Sequence, residues 1–133
     1  MTIDTSAILA ILEGEPERDR FLHCIDTAEK CQISAMSLLE ASIILEQRRG
    51  VDACLDLDQF LREAAIEVIP FDDRQIEWAR VGFRRFGKGR HPAGLNFGDC
   101  AAYALSRWSG EALLFKGADF AKTDITPASC EAG

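Results

Sequence analysis

The 133-residue sequence has no Cys-x-x-Cys pair, only two histidines, and no apolar run approaching the ~20 residues of a membrane span. Each shortage removes a class of protein. Its five cysteines, Cys24, Cys31, Cys54, Cys100 and Cys130, are odd in number and widely scattered, which argues against disulfides and against a zinc cage. His23 and His91 are the only imidazoles and neither has a convincing partner, so a Ser-His or Cys-His nucleophile has little to rest on. The opening Met-Thr-Ile-Asp lacks the basic and apolar stretches of an export signal, and a cytoplasmic protein without membrane attachment is expected. Positive charge is also scarce. With 15 Lys and Arg against 22 Asp and Glu, the net charge of −7 disfavours non-specific affinity for nucleic acid.

What is present suits one globular domain over residues 1–133, at 47% hydrophobic and 28% charged, with a polar tail expected to fray from about residue 127. The charge is uneven. From Arg80 to His91 the chain carries five Lys or Arg and no acid, a stretch on which a polyanion could land.

Apolar periodicity predicts strands at Thr2–Ile3, 31–35, 66–71 and 112–115, with a last edge strand at Asp124-Ile125. Helical patterns fill the intervals. Thr5 and Ser6 offer capping hydroxyls for the first helix, and Asp72 or Asp73 caps one whose core stripe reads Ile76, Ala79, Phe83 and Phe86. Arg80, Arg84 and Lys88 recur every four residues on another face of that helix. This alternation implies an α/β fold: a mainly parallel central sheet of four or five strands flanked by helices, with sites outside the strands' carboxyl ends.

Four acids fall near that edge. Asp4 follows the first strand, Asp119 lies in the turn after the strand at 112–115, and Asp99 enters the first turn of a helix capped by Asn96 and ended by Gly110. Gly98, beside Asp99, permits close approach of another group. Glu40 has two readings. Ser37-Leu38-Leu39-Glu40 matches a capping box, yet the helical wheel sets Glu40 beside Met36, Ile43 and Ile44, where an acid needs a partner or a cation. Two carboxylates ~4 Å apart repel by about 4 kcal/mol at an effective dielectric near 20, so a cluster asks for protonation or a metal. Oxygen ligands alone favour Mg²⁺ or Mn²⁺, whose chemistry suits phosphodiester hydrolysis.

The segments Ile-Asp-Thr-Ser-Ala-Ile-Leu, Ile-Ser-Ala with Leu-Glu-Ala, Leu-Asn-Phe-Gly-Asp-Cys and Lys-Gly-Ala-Asp-Phe resemble, in this order, the PIN-domain ribonucleases, and more narrowly the VapC toxins of toxin-antitoxin pairs. The resemblance implies a PIN fold, Mg²⁺- or Mn²⁺-dependent cleavage of RNA, a homodimer, and a VapB-type antitoxin as partner. It assigns metal-site roles to Asp4, Glu40, Asp99 and Asp119: Asp4 and Asp99 as direct ligands, Glu40 through water, and Asp119 at a second ion or orienting the first. Asp124 is a rival for the last position. Thr5 and Ser6 would contact water or phosphate beside Asp4, and Arg80, Arg84 and Lys88 would hold RNA. Two other readings compete: a binding module that keeps the fold without catalysis, and a phosphorylation-regulated receiver domain in which Lys116 follows a late strand.

Overall fold

A computed structural model describes residues 1–130 and orders the chain as β1 (Thr2–Ile3), α1 (Thr5–Leu12), α2 (Arg18–Thr27), β2 (Cys31–Ser34), α3 (Ala35–Arg49), α4 (Asp52–Glu63), β3 (Ile66–Ile69), α5 (Asp73–Phe86), α6 (Phe97–Ser109) and β4 (Leu113–Leu114). A single 3₁₀ turn, Phe120–Lys122, follows. The four strands form one parallel sheet in the order β3-β2-β1-β4, with Thr2 opposite both Gln32 and Leu113. Helices cover both faces, so β1, β2 and β4 are wholly buried, whereas edge strand β3 exposes Glu67 and Val68. Alternation along β4 sends Leu113 to a cluster with Leu95, Tyr103 and Phe120, and Leu114 to one with Ile3, Ile8, Phe21 and Leu45. Among the described residues no helix is long and apolar enough to cross a membrane.

Several expectations are corrected. Asp4 itself, instead of Thr5 or Ser6, caps α1, accepting a hydrogen bond from the Ser6 amide. Ser34 caps α3, accepting from Met36 N, so the helix starts earlier than the capping-box reading required and Glu40 stands in its second turn. The proposed core stripe of α5 is turned. Gln75, Gly82 and Phe86 are buried, whereas Ile76 and Phe83 are 38% and 39% exposed. Gln75 can sit inside because its amide donates to the Pro70 carbonyl at 2.8 Å, and Gly82 is needed where the Tyr103 ring lies against the helix backbone.

The end of the chain differs too. No strand forms at Asp124-Ile125; the tail instead makes one isolated parallel bridge, Leu113 to Pro127, and Ala128 N donates to Leu113 O at 2.8 Å. Pro127 and Ala128 are therefore tied to β4 instead of frayed; the remainder of that expected tail from residue 131 lies outside the described residues. Cys24 and Cys130, 106 residues apart in sequence, come together with Cα atoms 4.9 Å apart. Folding the tail back beside β4 brings together two cysteines that look unrelated along the chain.

Candidate active site

Each of the four acids reaches the carboxyl edge of the sheet by a different local device. Asp4 leaves β1 with its amide bonded to Leu114 O at 2.9 Å, and its Oδ2 accepts from Ser6 N at 3.0 Å and Ser6 Oγ at 2.6 Å. Ser6 Oγ in turn accepts from Lys116 N at 2.9 Å, so the turn after β4 steadies the acid after β1. Asp99 and Asn96 form a reciprocal capping box at the start of α6: Asn96 N donates to Asp99 Oδ2 and Asp99 N to Asn96 Oδ1. Asp99 is thus held in place by the cap of its own helix.

Glu40 arrives from α3 and lies directly on Gly98. A Cβ at position 98 would meet the Glu40 carboxylate, 2.6 Å from its Cδ. Gly98→Ala is accordingly expected to push Glu40 out of place and lower site-dependent activity about 10- to 100-fold, as for other losses of supporting geometry. Alanine is also the better helix former, so the melting temperature should not fall. Activity and thermal denaturation measured on the same preparation separate the two effects.

The charges feel one another. Burial, chiefly, raises the Asp4 carboxyl to about 6; Ser6 opposes this, and the nearby Asp99 and Glu40 charges add to it. Asp99 is likewise raised, by burial first and then by Glu40 and Asp119 against the lowering effect of its Asn96 bond. Asp119 is exposed at the 3₁₀ turn and makes no side-chain cap. Among the described residues no three acidic, histidine or cysteine side chains converge tightly enough to enclose an ion as they stand. The donors nevertheless suit a hard divalent cation: oxygen only, mutually repelling, with Asp4 Oδ1 outside the pair of bonds that hold Oδ2.

Other candidates are engaged elsewhere. Asp124 Oδ2 accepts from Arg85 and Arg107 at 3.0 Å each, which removes the rival fourth acid from the cluster. Thr5 Oγ1 donates to Ser37 O at 3.1 Å in a buried site, tying α1 to α3 instead of facing a substrate. Lys116 Nζ pairs with Glu15 and, at 3.5 Å, with Glu17, not with the strand-end acids as a receiver domain would need. Cys100, next to Asp99, is no ready nucleophile, since burial and then the Asp99 charge push its thiol up to about 11.

The basic stripe divides. Arg80 and Arg84 line a cleft beside α6, with Arg80 also bonded to Glu77 at 3.0 Å, while Lys88 lies past the end of α5 in a turn. Arg90, two residues further on, joins the cleft in its place. Helical spacing could not find Arg90, because Gly87 ends the helix first.

A family model described as PIN domain matches residues 1–125. Ribonuclease VapC30 of Mycobacterium tuberculosis is 43% identical over 125 residues, covering 94% of this chain and 95% of that protein. Ribonuclease VapC of Mycolicibacterium smegmatis is also 43% identical over 125 residues, covering 94% and 97%. Among solved structures, M. tuberculosis VapC20, described as a sarcin-ricin loop cleaving toxin, superposes with a TM-score of 0.76 at 17% identity, over 94% of this chain and 95% of that one.

Proposed function

Because this chain belongs to the PIN-domain family, we propose that it is an endoribonuclease toxin of the VapC type, dependent on Mg²⁺ or Mn²⁺ and neutralised by a VapB-type antitoxin. The observation that carries the reading is electrostatic: Asp4 and Asp99, from opposite ends of the sequence, are both raised by burial and by the charge of Glu40. Such an arrangement is unfavourable by itself and becomes favourable around a cation. The full-length similarity to named ribonucleases supplies the substrate class.

Asp4, Asp99 and Glu40 would hold the ion, with Glu40 acting directly or through water, and Asp119 would serve a second ion or orient the first three. When bound, the ion supplies an activated water and neutralises charge on the scissile phosphoryl oxygen. The protein's own residues fix the geometry. Ser6 pins one oxygen of Asp4, and Asn96 pins Oδ2 of Asp99, so each carboxylate presents its remaining oxygen in a set direction. Arg80 and Arg84 line the cleft that also holds Cys100, the residue after Asp99, and there they would hold the phosphates of the incoming strand. Leu39 and Ile43 on α3, with Val51 and Leu55 by α4, expose 48% to 66% of their surface and would be covered by a second copy in a homodimer.

The reading is tested by incubating antitoxin-free protein with mixed bacterial RNA. Discrete cuts are expected with Mg²⁺ or Mn²⁺ and none with chelator. Folded protein that cuts nothing under either condition would return the chain to the binding-module reading.

A further inference from the structure

Three of the four apolar residues that α5 was expected to bury instead face an open cleft. Ile76, Ala79 and Phe83 line one wall, Phe97 and Cys100 of α6 the other, around a volume of about 750 Å³. Phe97 is 81% exposed, an unusual position for a large apolar residue. Among the described residues, Arg80, Arg84 and Arg90 are the only charged ones lining the cleft, in a chain of net charge −7. Arg90 lies over the Phe83 ring at 5.3 Å, so cation and aromatic face are already paired. Phe97 and Met36 also line the smaller hollow that contains Glu40 and Gly98, so Phe97 stands between the cleft and one of the four acids.

We infer that this cleft is a base-accepting subsite: a nucleotide next to the scissile bond turns out of its stack onto Phe97, while Arg80, Arg84 and Arg90 hold the flanking phosphates. The inference rests on the ribonuclease reading and narrows it. An apolar cleft rimmed by guanidinium groups matches the two faces of a nucleotide, a flat ring and an anion. A base paired within a duplex cannot enter, so the strand must be unpaired at that position. Phe97 thereby becomes a residue that selects substrate without touching the reacting phosphate.

The test is binding of a short fluorescent RNA of mixed sequence, single-stranded or annealed into a duplex, in the presence of chelator so that nothing is cut. Phe97→Ala should weaken single-strand binding about 5- to 150-fold, the range for losing one base–aromatic stack. Phe97→Trp should keep it, duplex binding should be little changed, and light scattering should give the same mass for all variants. Single-strand affinity unchanged in Phe97→Ala overturns the proposal. A change of oligomeric mass in that variant overturns it equally, by making Phe97 a contact between copies. The nuclease reading fails separately: wild type that binds in chelator but cuts nothing with Mn²⁺ sinks catalysis while these binding arms still decide the subsite.

Discussion

Asp99→Asn should reduce metal-dependent RNA cleavage by about 10²- to 10³-fold while the protein stays folded. The substitution removes a negative ligand at nearly constant volume, and the loss of several kcal/mol of charge stabilisation at the phosphoryl oxygen corresponds to that factor. Folding should hardly notice. An asparagine oxygen can still accept from Asn96 N, and the lost helix-dipole interaction, about 0.3 to 1 kcal/mol, is offset by relief of repulsion from Glu40 and Asp119. Cleavage rates and denaturation midpoints measured together on wild type and variant check both halves. Full activity in the variant would remove Asp99 from the site.

Asp4→Asn is expected to separate stability from activity in opposite directions. In the metal-free protein the Asp4 carboxyl is raised from 3.8 to about 6, so the folded state binds a proton more tightly than the unfolded chain does. The sign follows directly. Below about pH 4 both states are protonated and the group has no effect; as pH rises from about 4 to about 6 the folded state loses stability, and above that the cost levels off at about 3 kcal/mol. Asparagine carries no such cost and can still accept from Ser6. At pH 7.5 in chelator, Asp4→Asn should therefore resist denaturant by about 3 kcal/mol more than wild type, an advantage that vanishes near pH 4. Added Mn²⁺ should stabilise wild type but not the variant, whose cleavage should be lost. A variant less stable than wild type at pH 7.5 in chelator would contradict the burial account of Asp4.

The acids could be read from the chain because one geometric rule, that sites gather at the carboxyl edge of a parallel sheet, locates strand-end residues without any contact being known. Asp4, Asp99 and Asp119 needed only that rule and a turn or cap nearby. Glu40 was harder, since Ser34 and Ser37 are both good cap residues and the choice shifts the helix start by a turn. Rotation of α5 was beyond reach: an apolar stripe says that a face is dry or cleft-lining without saying which, and the buried Gln75 depends on one distant carbonyl. The pairing of Asp124 and the approach of Cys24 to Cys130 were hidden for a related reason. Their partners, Arg85, Arg107 and the returning tail, become neighbours only after the sheet has closed.

The strand order β3-β2-β1-β4 sets the order in which the acids can meet. β1 emerges first from the ribosome, yet one of its two neighbours is β4, and Thr2 waits for Leu113 before its second side is paired. Asp4 likewise waits for Ser6 to be steadied by Lys116, and for Asp99 to arrive on α6. A growing chain that has completed β2 and β3 holds one end of the site without the other. Asp4 and Glu40 can therefore meet Asp99 and Asp119 only after α6 and the turn that follows β4 have been made, so the site closes late in synthesis.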